Sequence, residues 1–272
     1  MATTFIPPRR IVAGTALAAL FLLLSGAAHA GLLYGVARAG NNLVSVDPAN
    51  GNTTVIGSLG VDDNFGGLAY DRNSDTLYFA DGRAANRLFT VDRNTGAASL
   101  IGGHGVRDLF GLAFDSLNNV LYGTTTAGQL FSFDTGTGAA TLIGSTGFNI
   151  GGLAYDSVLD RLIGIRTGGS AIYSLDRGTG AATTLASGLP FTNDVGFTFD
   201  YEQNRFFSAG LNGDLFEYDS TTFAANLISG NLPDVDGLTF VGDFDPVPEP
   251  ASLALLGLAL AGFGYGRRRN AG

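Results

Sequence analysis

Five copies of Gly-[Leu/Phe]-[Ala/Thr]-[Tyr/Phe] recur at a nearly fixed period, and no other feature of this 272-residue chain restricts its fold as severely. They begin at Gly67, Gly111, Gly152, Gly196 and Gly237, with spacings of 44, 41, 44 and 41 residues. A second marker, an apolar alternation ending in aspartate, keeps the same period: Leu43 to Asp47, Leu88 to Asp92, Leu130 to Asp134, Ile172 to Asp176 and Leu215 to Asp219. Repeats of this length are supersecondary units that bury their apolar faces against neighbours of the same kind.

The second unit holds four short strand patterns, Gly67 to Tyr70, Leu77 to Ala80, Arg87 to Val91 and Ala98 to Ile101, separated by turn residues. Four strands in one period describe a propeller blade. No unit carries a helical period of ten uninterrupted residues, which disfavours a parallel α/β array, and a β-solenoid would use shorter coils. The expected fold class is therefore all-β, a five-bladed β-propeller.

The two ends of the repeat region complete each other. Leu32 to Ala37 aligns with the second strand of a blade, and the missing first strand reappears at Gly237 to Val241. Pairing these segments would close the ring and remove the open sheet edges of a linear array. This assigns 31–241 to the propeller and 242–247 to a linker. The repeats are similar to bacterial propeller families of the NHL and YVTN kind, a resemblance that implies architecture and no activity.

Both termini read as processing segments. Arg9 and Arg10 precede an apolar stretch, Ile11 to Leu24, and Ala28-His29-Ala30 fits a small-x-small cleavage site, so 1–30 is expected to be a signal peptide. Its fourteen apolar residues fall short of the roughly 20 that span a bilayer. The paired arginines raise the twin-arginine route, but general secretion fits the residues after them better. At the other end, Pro248-Glu249-Pro250 leads into an uncharged apolar stretch, 251–266, expected to be a helix, followed by Arg267-Arg268-Arg269. This order resembles the PEP-CTERM sorting signal, so that 248–272 would be a sorting tail. The resemblance implies export, an exosortase-type processing enzyme acting at Pro248-Glu249-Pro250, and a cell-surface, envelope or matrix location. Sixteen helical residues reach about 24 Å against about 30 Å of hydrocarbon, a marginal span suited to a transient anchor, with the arginines on the cytoplasmic side. A retained tail anchor is the alternative.

Between the processing segments there is no cysteine, lysine or tryptophan, and ten arginines stand against 23 acidic residues, a net charge near −13. That balance excludes a phosphate-binding face and so a nucleic-acid partner, and confines membrane contact to the terminal segments. It suits solubility, cations or neutral partners such as glycans.

An amide or acid lies three residues before each marker glycine: Asn64, Asp108, Asn149, Asn193 and Asp234. At the entry to a propeller's innermost strand these would ring the channel mouth, where they could hold Ca²⁺ or hydrogen-bond a glycan. The simpler reading is that each starts its strand through an Asx-type turn. No other cofactor is expected. The runs beginning at Asp71, Asp115, Asp156 and Asp200 imitate the opening of a calcium loop, but Thr76 stands where that loop needs glycine, and their periodicity marks hairpin turns. The aspartates ending the second marker also read as turn residues, with Phe223 standing where the other units have glycine. His104, alone once the leader is removed, builds no zinc site or catalytic triad. Tyr70, Phe114, Tyr155, Phe199 and Phe240 read as packing between blades. The chain is expected not to be an enzyme; the distant alternative, a carboxylate-based glycoside hydrolase, would draw on Asp108, Asp194, Asp234 and Asp236. An exported binding or scaffolding module is the leading expectation, with a glycan or a surface protein as partner, and a purely structural envelope or biofilm protein the competitor.

Overall fold

The computed structural model describes residues 31–62, 65–83, 85–190 and 194–242, and these form a closed ring of five four-stranded antiparallel sheets. The first blade contains β1 (Leu32–Ala37), β2 (Asn42–Val46) and β3 (Thr53–Ser58). The second holds β4 (Gly66–Asp71), β5 (Thr76–Asp81), β6 (Arg87–Val91) and β7 (Ala98–Gly103). The third holds β8 (Leu109–Asp115), β9 (Val120–Thr125), β10 (Gln129–Phe133) and β11 (Ala140–Ser145). The fourth holds β12 (Ile150–Asp156), β13 (Arg161–Arg166), β14 (Ala171–Leu175) and β15 (Ala182–Ser187). The fifth holds β16 (Asp194–Asp200), β17 (Arg205–Gly210), β18 (Leu215–Asp219) and β19 (Ala225–Ser229). The last strand, β20 (Val235–Val241), joins the first blade, whose order is β20-β1-β2-β3. Leu32 pairs with Val241 and Tyr34 with Thr239, so the chain's two ends share one sheet as their sequences foretold.

The inner strands touch in cyclic order, β4, β8, β12, β16, β20 and back to β4. The marker glycines make this possible. A β-carbon on Gly67 would lie 2.6 Å from that of Leu112, and one on Gly111 would lie 2.9 Å from that of Leu153. The series continues with Gly152 against Phe197, Gly196 against Leu238 and Gly237 against Leu68. Five sheets converge so tightly on the axis that only a residue without a side chain fits where one inner strand crosses the next.

Each interface between adjacent blades encloses its own apolar core. Tyr70, Phe114, Tyr155, Phe199 and Phe240 belong to five different cores, one per interface, which is the packing role expected of them.

All turns leaving an inner strand, and all turns entering an outer one, lie at the same end of the ring, because alternate antiparallel strands reverse direction. We term this the turn end and the other the loop end. At the turn end the opening aspartates act as turn residues. Asp115 accepts from the amides of Leu117 and Asn118, and Asp156 from those of Val158 and Leu159. The residues closing these turns, Asp75, Asn119, Asp160 and Asn204, have positive φ, which short polar side chains tolerate.

Candidate functional site

The expected ring of oxygen donors is at the loop end, where the inner strands begin. Asn64 and Asn193 lie outside the described residues, as does the side chain of Asp194. Asp108 has φ of 56° and its Oδ1 meets Nε of Arg83 at 2.5 Å. Asp234 pairs with Arg38 at 3.4 Å, and the buried Asp236 meets Nε of the same arginine at 3.2 Å. Asn149 has a buried Oδ1 without a hydrogen-bond donor. The described carboxylates of the ring are therefore turned to arginines, and no cluster of three or more metal-ligating side chains occurs among the described residues.

The arginines that engage them form a cluster that the sequence reading did not single out. Arg38 and Arg83 occupy the same place in consecutive repeats, five residues before Leu43 and Leu88. Their guanidinium groups lie 4.0 and 4.3 Å from the centroid of the Phe65 ring, and Arg83 also covers Phe110 at 5.2 Å. Phe65 and Phe110 are 5.1 Å apart, and Phe65 has φ of 63°, a conformation rarely adopted by a bulky residue. At the loop end Arg38, Phe65 and Arg83 thus form a half-exposed stack of cationic and aromatic groups resting on the buried Phe110.

Down the axis, at the turn end, a cavity of about 40 Å³ lies among the five repeated aromatic residues, bordered by Arg72, Ser116, Ser157 and Tyr201. It has room for a few waters and none for a sugar. Arg72 stacks on Tyr201 at 4.8 Å, and the Tyr201 hydroxyl accepts from the Gly242 amide at 3.0 Å. Gly31 and Gly242 adjoin here: a β-carbon on Gly31 would be 2.9 Å from the Gly242 Cα. Both chain ends of the ring therefore leave from the turn end, beside the axis.

His104 is buried. Its Nδ1 accepts from the Val106 amide at 3.1 Å, so Nε2 carries the proton and donates to the Asp81 carbonyl at 3.0 Å. Burial lowers its pKa. Burial also raises the hydroxyl pKa of Tyr70 and Tyr155, helped by the hydrogen bonds they donate to Asp75 and Asp160. These groups brace the blades.

The fold and the closing strand define a five-bladed β-propeller. At its C-terminus the chain carries the PEP-CTERM protein-sorting motif, matched over residues 246–269. That motif implies an exported protein processed by an exosortase. Its Pro248, Glu249, Pro250, Arg267, Arg268 and Arg269, the expected helix 251–266, and the leader with Ala28 and Ala30 lie outside the described residues.

None of the curated proteins matches the chain. Among solved structures, a chain of a nidogen/laminin complex is similar at 14% identity, covering 78% of this chain and 81% of that one with a TM-score of 0.53. A protein of unknown function from Bacteroides thetaiotaomicron VPI-5482 is similar at 17% identity, covering 74% of this chain and 56% of that one with a TM-score of 0.56. At such identities the likeness concerns the fold alone.

Proposed function

We propose that this chain is an exported scaffolding module, a rigid ring held from its turn end by the sorting tail and presenting its loop end to a glycan or another surface protein. The observation that carries this reading is the adjacency of Gly31 and Gly242 at one end of the ring. Six residues take the chain from Gly242 to Pro248, a reach of at most about 20 Å. While the tail is retained, the turn end faces the membrane closely and the loop end points away. The Arg38, Phe65 and Arg83 surface then lies where a partner can approach, and guanidinium stacked on an aromatic ring suits hydrogen bonding and stacking with neutral sugars or peptides.

A non-catalytic role is supported by the engagement of Asp108 with Arg83 and of Asp234 and Asp236 with Arg38, which leaves the glycosidase and Ca²⁺ readings weaker than scaffolding. The same closed pairs favour the purely structural reading as the second choice.

The absence of native cysteine allows a clean test. Single cysteines are placed at Ala127, exposed at the loop end, and at Gln203, exposed at the turn end, in cells lacking an exosortase so that the tail stays attached. A membrane-impermeant maleimide is expected to label Ala127→Cys several-fold faster than Gln203→Cys. Equal rates, or the reverse order, would refute the tethering geometry. A glycan array and calorimetry with Ca²⁺ on the exported protein then separate binding from a purely structural role.

A further inference from the structure

We infer that the rim of the ring is a self-association surface, on which the outer strands of one copy pair edge to edge with those of a second copy. The outer strands β3, β7, β11, β15 and β19 are each paired on one side only. Such edges invite pairing with another chain, and folded proteins commonly blunt them with charges, proline or a cover. Here all five outer strands lack both charged residues and proline, in a domain otherwise rich in acids. Each instead exposes a large apolar side chain: Val55, Leu100, Leu142, Leu185 and Leu227, at 62, 60, 53, 37 and 53% exposure.

Each outer strand contains one bulge against its inner neighbour, for example between Leu130 and Phe131 on the partner strand, which twists its C-terminal half. The N-terminal half, such as Ala140 to Leu142, is regularly paired and presents a straight edge.

Charge selects the occupant. The turn end carries the exposed aspartates Asp92, Asp134, Asp176 and Asp219, so stacking two rings through these ends sets like charges together. The rim is neutral and repeats the same Thr/Ala/Leu-rich edge, so two copies meet there without repulsion. Antiparallel pairing about a two-fold axis would bring Leu142 near its own counterpart, an isologous contact that needs no second kind of surface. The inference deepens the scaffolding reading by naming a second copy as the lateral partner, and it rests on that reading for its setting outside the cell.

The test uses the exported protein purified from its host, in detergent where the tail is retained. Leu142→Cys, on the rim, and Gly136→Cys, at the turn end, are treated with a short bis-maleimide. Cross-linked dimer is expected from Leu142→Cys and not from Gly136→Cys, and the dimer yield should persist at high salt. Leu100→Lys with Leu142→Lys should weaken association by at least about tenfold while leaving the melting temperature unchanged at dilutions where both proteins are monomeric, since both sites are exposed and like charges across a strand pair repel. A protein that stays monomeric at every concentration tested overturns the inference. So does equal cross-linking through Gly136→Cys, or capture of a different protein by the rim without any homodimer. None of these outcomes changes the maleimide rates that test the tether, so the two readings fail separately.

Discussion

Phe223 holds φ of 56° at the place where Gly51, Gly96, Gly138 and Gly180 close the equivalent turns of the other blades. The left-handed conformation costs an ordinary residue roughly 1–2 kcal/mol. The side chain offsets that cost, being 4% exposed, packed in the core between the fourth and fifth blades and 5.9 Å from the ring of Phe206. Removing a buried phenylalanine costs about 3–5 kcal/mol. Phe223→Gly is therefore expected to destabilise the ring by about 1–4 kcal/mol, although it restores the repeat's consensus, and urea unfolding of the pair measures it. A gain in stability would mean that backbone strain outweighs the packing. The sequence disclosed the departure at Phe223 but not its reward, because the core that receives the ring forms only when the fourth blade packs on the fifth.

Titration separates two other residue types. Hydrogen bonds within the turns hold Asp92, Asp134, Asp176 and Asp219 below the usual carboxylate range, backbone amides foremost at Asp92 and Asp219, the hydroxyls of Thr137 and Thr179 foremost at Asp134 and Asp176. A depressed acid adds stability above its unfolded pKa, near 4, that is lost as pH falls through the folded value. His104 is depressed as well, chiefly by burial, but it is a base. As pH falls below about 6.5 the unfolded chain gains a proton that the folded chain refuses, so stability declines in that window. Melting temperatures between pH 7.5 and 5.5 should fall for the native protein and stay flat for His104→Gln, while both fall again below pH 4. An identical slope in the two proteins would remove His104 from the account.

Among the elements, the strands and hairpin turns were legible because their signals are local: alternation, aspartate and glycine within a few residues. The clasp at the loop end was only half legible. Arg38 and Arg83 share a repeat position, yet Phe65 lies in a connection between blades, and nothing in the alternation tells which groups such a connection brings together. The two arginines are not equivalent in consequence. Arg38 comes from the loop between β1 and β2 and grips Asp234 and Asp236 near and on β20, tying the chain's last strand to its first, and Asp236 is 2% exposed. Removing a partner of a buried carboxylate costs about 1–3 kcal/mol, whereas Arg83 pairs with the partly exposed Asp108, a contact worth about 0–1 kcal/mol. Arg38→Ala should thus lower stability by clearly more than Arg83→Ala, and a double-mutant cycle with Asp236→Asn should return a coupling above about 0.5 kcal/mol. Additivity in that cycle would show that the pair does not hold the closure.

For the whole molecule, closure was the most legible property, since a lone second strand at the start and a lone first strand at the end leave few other arrangements. It also makes the ring's stability depend on β20, the strand directly before the sorting tail. Without 235–242 the first and fifth blades lose Val235, Leu238 and Phe240 from their shared core, and β1 becomes an open edge. Truncation after Asp234 should abolish the single cooperative melt and produce aggregation, seen by calorimetry and light scattering. The loss could instead reflect a shorter chain, and a permutation separates the two explanations. Because Gly31 and Gly242 adjoin, a short linker can join them and new ends can be opened between Asp234 and Val235, in the exposed approach to β20. Every blade is then continuous in sequence and every contact is kept. The permuted chain should fold to the same ring with stability within about 1–2 kcal/mol of the original, while the truncated chain fails. A truncated chain that melts like the full one, or a permuted chain that cannot fold, would show that the last strand does not close the first blade.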